Sequence, residues 1–174
     1  MNVKVTKLSE SELSLLRDVY KQLQELKLPT SYRSKGGTNH GTKTGCNKQI
    51  RARQCCFGRV KFRDKIITTC ITKKHPHIMP LFRRFMRKHR PHFRFKNVQV
   101  NKDCVCKKHK DKQNSGASII VGVGPYTHGR TVLHLPEGKK SFNIRKNSLM
   151  FDGSKIFHES EPFHGTRYSF VFFR

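Results

Sequence analysis

His109-Lys110-Asp111 sets an imidazole and a carboxylate two residues apart. A second imidazole, His158, follows the apolar run Leu149-Met150-Phe151 and the turn Asp152-Gly153-Ser154. Nine residues later Arg167 opens the β-prone run Arg167-Tyr168-Ser169-Phe170-Val171-Phe172-Phe173. An H-x-D alone recurs by chance, so its weight comes from the residues that follow it. Two imidazoles and one carboxylate on one face of Fe(II) leave three adjacent positions open, the facial triad of non-haem oxygenases. A 2-oxo acid can fill two of them and dioxygen the third. The far carboxylate of 2-oxoglutarate then needs a bidentate partner, which the fork of Arg167 supplies and a lysine would not. Strand alternation puts Arg167 and Ser169 on one face, so Ser169 can donate to the same carboxylate or serve only as a strand residue. A turn over residues 161–165 is expected to return the chain antiparallel and bring Arg167 beside His158.

The elements that must position these groups read in two parts. Residues 93–174 hold short β-prone runs between Gly, Asn and Pro: Phe93–Val100, Ser118–Val123, Thr131–Leu135, Ser141–Arg145, Ser148–Phe151 and Arg167–Phe173. So many short strands predict a small barrel or jelly roll. Tyr168, Phe170 and Phe172 alternate with the Arg167 face and are expected in the core. Residues 1–92 form a basic, partly helical region expected to pack on that barrel. Ser9 and Glu12 make a capping box, followed by Leu13, Leu16, Tyr20, Leu23 and Leu26 at helical spacing up to Pro29. A second helix is expected from about His77 to His89, with Ile78, Phe82, Phe85 and Met86 on one face. The polar, Gly-rich stretch 31–53 is expected to be a loop or arm.

Charge narrows the partners. The chain has 174 residues, with 37 Lys and Arg against 11 Asp and Glu, a formal net charge of +26. An acidic disordered tail is excluded, and so is indifference to polyanions. Arg83, Arg84, Arg87 and Lys88 fall off the apolar face of the second helix and are candidate phosphate contacts, the bland alternative being a solvated face. No apolar run approaches a membrane span, and the N-terminus lacks the apolar core of a secretory signal. The expectation is an intracellular protein of nucleus or cytoplasm, not secreted, with no membrane partner. Cys46, Cys55, Cys56, Cys70, Cys104 and Cys106 lack C-x-x-C spacing, so free thiols are expected ahead of structural zinc.

A family resemblance rests on the order of several motifs. They are Val98-Gln99-Val100-Asn101, His109 through Ser118, Gly124-Pro125-Tyr126-Thr127-His128-Gly129, Phe151-Asp152-Gly153-Ser154 with His158, and Gly165-Thr166-Arg167-Tyr168-Ser169. Over its last 80 or so residues the chain resembles the Fe(II)/2-oxoglutarate dioxygenases. Within them it is most similar to the ten-eleven-translocation and J-binding-protein group, which oxidises methyl groups on nucleic-acid bases, and to small relatives in large DNA viruses and algae. The resemblance implies an α+β fold with a double-stranded β-helix core and N-terminal helices. It implies His109, Asp111 and His158 as iron ligands and Arg167 as the 2-oxoglutarate anchor. Asn114 completes H-x-D-x-x-N, and an Asn at this spacing contacts the target base in base-oxidising members; as part of Asn-Ser-Gly it can equally be a turn residue. One departure is His128, where relatives often carry a second Gly.

Three function classes follow. The first is a dioxygenase acting on a methylated or methyl-bearing base in nucleic acid, with DNA ahead of RNA as partner. The second keeps the chemistry and takes a protein side chain as substrate. The third is a non-catalytic nucleic-acid-binding protein on an oxygenase-like barrel, against which the intact triad and Arg167 argue.

Overall fold

The computed structural model describes residues 2–30, 52–111 and 114–174. Its centre is a six-stranded antiparallel sheet in the order β1-β10-β6-β13-β5-β2. The four inner strands are β5 (Asn97–Lys102), β6 (Ser118–Val123), β10 (Asn147–Phe151) and β13 (Tyr168–Phe173). The edges come from the N-terminal region, as β1 (Lys4–Lys7) beside β10 and β2 (Arg53–Phe57) beside β5. Register rows fix which side chains share a face. Val121, Phe170, Val100 and Cys55 form one row, and Ile119, Phe172, Val98 and Phe57 the next. All eight are buried.

Two helices cover that face. Helix α1 (Glu10–Gln24) starts at the Ser9 cap, whose side chain accepts from the Glu12 N–H while Glu12 accepts from the Ser9 N–H. It contributes Leu16, Val19 and Leu23 to the core. Helix α3 (Ile78–His89) contributes Ile78, Phe82, Phe85 and Met86. The Phe82 ring lies 5.2 Å from Phe170 and 5.6 Å from Phe172, both edge-on. Truncating such a side chain costs about 3–5 kcal/mol. Glu12, His89 and Ser148 join α1, α3 and β10 through a buried chain of hydrogen bonds of 2.9 and 2.7 Å. A short helix α2 (Cys70–Lys74) follows the hairpin of β3 (Arg59–Phe62) and β4 (Lys65–Thr68).

The opposite face of the main sheet meets a second layer. Strands β8 (Thr131–Leu135), β9 (Gly138–Phe142) and β11 (Phe157–Ser160) form a sheet in the order β11-β8-β9. Strand β7 (Tyr126–His128) pairs with β12 (Phe163–Gly165). Leu133, Ile144, Leu149, Phe151 and Ile156 pack as the core between the layers. This is an α+β double-stranded β-helix, as expected.

Several local expectations change. The run 93–100 becomes a strand only at Asn97, because Phe93 closes a turn by donating to the Arg90 carbonyl. The expected strand 141–145 is shifted to β9, and Ile144 instead gives its carbonyl to the Gly122 N–H. Arg53, the end of the expected loop, starts β2; residues 31–51 lie outside the described residues. The expected direct return from His158 to Arg167 does not occur. The chain leaves β11 for β12, and β13 then pairs with β5 and β6. Among the described residues no helix is long and apolar enough to cross a membrane.

Candidate metal centre and anion cradle

His109 reaches the second layer as an irregular edge along β11. Cys106 N–H donates to the Ser160 hydroxyl at 2.7 Å, and Ser160 N–H donates to the Cys106 carbonyl at 3.0 Å. His109 and His158 then form a reciprocal bridge, with N···O distances of 3.0 and 2.9 Å. Asp111 is fixed in turn by its N–H to the Gly153 carbonyl at 2.9 Å. The segment that follows β5 is thereby laced to β11 and to the turn before it.

The backbone bridge gathers three donor atoms. One ligand atom each of His109, Asp111 and His158 lies within 4.8 Å of the others. Asp111 Oδ1 stands 3.6 Å from His109 Nε2 and 3.7 Å from His158 Nε2. Both tautomers are set by backbone carbonyls, which can only accept. His109 Nδ1 lies 2.6 Å from the Lys107 carbonyl and His158 Nδ1 lies 3.0 Å from that of Ile156. Each Nδ1 must carry the proton, which leaves the Nε2 lone pair facing Asp111. The Asp111 carboxylate beside it pushes the His109 pKa up, whereas burial pushes that of His158 down. Two nitrogens and one carboxylate oxygen converging in this way can hold a metal ion and leave its outer side open.

The carboxylate is held from its other oxygen. Asn114 Nδ2 donates to Asp111 Oδ2 at 2.9 Å and to the Ser118 hydroxyl at 3.2 Å. Gly153 makes room for it, since a Cβ there would stand 2.5 Å from Asp111 Oδ2. The turn Asp152-Gly153 is thus part of the site wall, which its dipeptide alone does not announce. Phe151 sets its ring edge-on to His158 at 5.0 Å.

Arg167 lies in a separate cradle at the start of β13. It is 2% exposed. Its N–H donates to Asp103 Oδ1 at 2.9 Å and its Nε–H to the Gly129 carbonyl at 3.2 Å. The guanidinium carbon stands 5.5 Å from the Tyr126 ring and 5.7 Å from that of Phe163. No carboxylate of the described residues comes within ion-pair distance of it. Gly129 must be glycine, because its φ is +62° and a Cβ would meet Phe163 Cβ at 2.8 Å and Arg167 Cδ at 3.0 Å. His128 beside it takes φ 63°. That left-handed conformation costs a histidine about 1–2 kcal/mol.

Ser169 shares a register row with Gly122 and Asn101, and its hydroxyl accepts from Asn101 Nδ2 at 3.2 Å. The Tyr126 hydroxyl lies against Gly122 on the same face. Burial pushes its pKa up, and it is one of three buried side-chain polar atoms without a hydrogen-bond partner among the described residues. Cys106 links the two halves of the site. Its thiol pKa is pushed up by burial, then acted on by Arg167 and Asp111 with opposite sign. Burial likewise takes Cys55 and Cys104 to about 12 and Cys56 to about 11. Cys46 lies outside the described residues.

Arg83, Arg84, Arg87 and Lys88 are exposed on α3. That helix covers the face of the main sheet opposite the second layer, so these cations are not brought to the triad. Sequence patterns assign no role in the site to Asp103, Gly129, Tyr126 or Gly153. Each gets there through register or a turn closing on a distant segment; Tyr126, Gly129 and Gly153 fall in motifs that carry the resemblance, and Asp103 in none.

No protein-family model matches the chain, and no curated protein matches it in sequence. Solved structures do match over nearly all of it. An oxidoreductase of the 2OG-Fe(II) oxygenase family from Burkholderia pseudomallei aligns with a TM-score of 0.56 and 15% identity, covering 98% of this chain and 82% of that one. A Pseudomonas putida prolyl-4-hydroxylase gives 0.57 and 12%, covering 99% and 92%. NgTET1 in complex with 5mC DNA gives 0.60 and 12%, covering 98% and 71%. At such identities the likeness is one of fold.

Proposed function

We propose that this chain is an Fe(II)- and 2-oxoglutarate-dependent dioxygenase that hydroxylates a methyl-bearing base in nucleic acid. The observation that carries the reading is the convergence of His109, Asp111 and His158 within 4.8 Å, with both Nε2 lone pairs turned inward. That donor set fits Fe(II), and three ligands leave positions for a chelating 2-oxo acid. The second cradle fits the rest of the cosubstrate. A buried guanidinium with no carboxylate at ion-pair distance is costly, and a carboxylate bound between Arg167 and the Tyr126 hydroxyl would satisfy both.

Fe(II) held there would supply dioxygen chemistry in which one atom of O2 ends in succinate as 2-oxoglutarate loses CO2, and the other ends in the hydroxyl of the substrate. The chain's own residues do the holding. His109, Asp111 and His158 grip the metal, and the two carbonyl-bound Nδ1 protons keep both rings from turning. Arg167 forks the far carboxylate, while Tyr126 and Ser169 each have a hydroxyl proton to give. Asn114 keeps Asp111 Oδ1 aimed at the histidines. Its own carbonyl oxygen, without a partner among the described residues, can accept from a base amine.

A base must leave its stack to reach such a site. The net charge of +26 and the fold shared with NgTET1 support nucleic acid as the partner, and Arg83, Arg84, Arg87 and Lys88 would add phosphate contacts behind the sheet. DNA stands ahead of RNA on the same likeness, and such a substrate places the work in nucleus or cytoplasm. The fold shared with a prolyl-4-hydroxylase supports a second reading, hydroxylation of a protein side chain. The deciding experiment follows succinate formation with Fe(II) and 2-oxoglutarate while adding methylated DNA, RNA or peptides in turn. Stimulation by DNA is expected. Stimulation by peptides alone would transfer the assignment to the second reading.

A further inference from the structure

Phe157 adjoins His158 in β11 and is used by neither half of the site. It precedes His158 in β11, so alternation turns its ring outward as His158 turns inward. It is 43% exposed, and the other exposed large hydrophobics, Val5, Ile66 and Ile67, are aliphatic. Two ammonium groups rest on the ring, Lys110 Nζ at 4.5 Å and Lys108 Nζ at 5.1 Å from its centroid. These lysines flank His109, and the His109–His158 bridge holds them beside β11. The acid two residues along, Glu159, is taken by His134 at 2.9 Å and Lys139 at 3.9 Å. An exposed aromatic and two lysines without acidic partners among the described residues therefore sit together on the outer side of the strand edge that carries His109 and His158.

We propose that Phe157, Lys108 and Lys110 form a docking platform for a nucleic-acid strand. One unpaired base stacks on Phe157 while another nucleotide of the same strand reaches the triad, and the two lysines take phosphates beside the stacked base. This deepens the nucleic-acid reading given above and rests on it. Every base offers a π-face, so stacking on an aromatic needs no particular sequence. A lysine on an exposed ring is weakly held, so a phosphate can recruit it. An acidic peptide would satisfy the lysines and leave the ring in water, whereas a nucleotide uses both.

The chain contains no tryptophan. Phe157→Trp therefore installs a single fluorescent reporter at the platform. Titration of that variant with a short single-stranded oligonucleotide should quench its emission, and added salt should restore it. Poly-glutamate should leave the emission unchanged. Phe157→Ala should weaken oligonucleotide affinity by roughly tenfold relative to both the native protein and Phe157→Trp. Lys108→Gln with Lys110→Gln should shrink the slope of log K against log salt by about 0.7 for each lysine. Equal oligonucleotide affinity of Phe157→Ala and the native protein would overturn the platform and leave the nucleic-acid reading standing. Equal quenching by poly-glutamate would overturn it in favour of an acidic protein partner. Failure of the native protein to bind any oligonucleotide would overturn both.

Discussion

His109 and His158 hold each other through their own backbones: each N–H donates to the other's carbonyl, at 3.0 and 2.9 Å. Two candidate ligands from distant parts of the chain thus meet in a single non-strand bridge at the end of β11. The carbonyls of Lys107 and Ile156, each two residues before its histidine, then fix both rings. The triad is built by main chain, which is why side-chain truncation there should spare the fold.

Asn114 is expected to act on the metal through Asp111. Losing its amide would free Asp111 Oδ2, and removal of such a ligand-orienting partner typically costs roughly 10–100-fold in metal affinity. Asn114→Ala should therefore lower apparent Fe(II) affinity, and basal 2-oxoglutarate turnover and base oxidation should fall together. Isothermal titration with Co(II) checks the first part. Unchanged metal affinity with a selective loss of base oxidation would make Asn114 a base reader instead.

Arg167 should separate stability from cosubstrate binding. Its buried guanidinium has no carboxylate at ion-pair distance, so Arg167→Met should melt close to the native temperature without 2-oxoglutarate. The native protein should gain thermal stability when 2-oxoglutarate is added with metal, and the variant should not. The apparent KM for 2-oxoglutarate should rise strongly in the variant. A variant with a native-like shift and KM would remove Arg167 from the cosubstrate site.

Glu12 sets an acid limit on the helical layer. Burial pushes its pKa up, but hydrogen bonds from the Ser9 N–H, His89 and the Ser9 hydroxyl outweigh this and hold it below the usual 4.5. A depressed carboxylate contributes stability above its unfolded pKa and loses it as pH falls through the folded one. Denaturation midpoints should therefore fall as pH drops below about 4.5. Glu12→Gln should lose about 1.5–3 kcal/mol at neutral pH and be flatter on acidification. Identical acid profiles for both proteins would deny Glu12 this role.

The helical elements are legible in the sequence because their signals are local. Ser9 with Glu12 marks a cap within four residues, and Ile78, Phe82, Phe85 and Met86 mark a face within three turns. The edge strands β1 and β2 are not, since Lys4-Val5-Thr6-Lys7 is a strand only because β10 lies beside it. The same holds in the site. His109 and Asp111 are two residues apart and visible, whereas Tyr126, Asp103 and Gly129 meet Arg167 only through pairing across the sheets.

The basic face of α3 should matter for reach. It lies behind the main sheet, so its phosphate contacts require nucleic acid long enough to pass the sheet edge. Charge reversal at Arg83, Arg84, Arg87 and Lys88 should shrink the salt slope for a long duplex by about 0.9 for each phosphate no longer neutralised. Binding of a short single strand at the triad opening should change little. An unchanged slope on the long duplex would leave α3 as a solvated face.

The most direct test of the metal centre is Asp111→Ala. Its oxygen is the atom both Nε2 groups face, at 3.6 and 3.7 Å. Purified native protein with Fe(II) and 2-oxoglutarate should form succinate, and chelation should stop it. Asp111→Ala, folded by circular dichroism and melting at a native-like temperature, should form none above background. Near-native, Fe(II)-dependent succinate formation by Asp111→Ala would contradict the account.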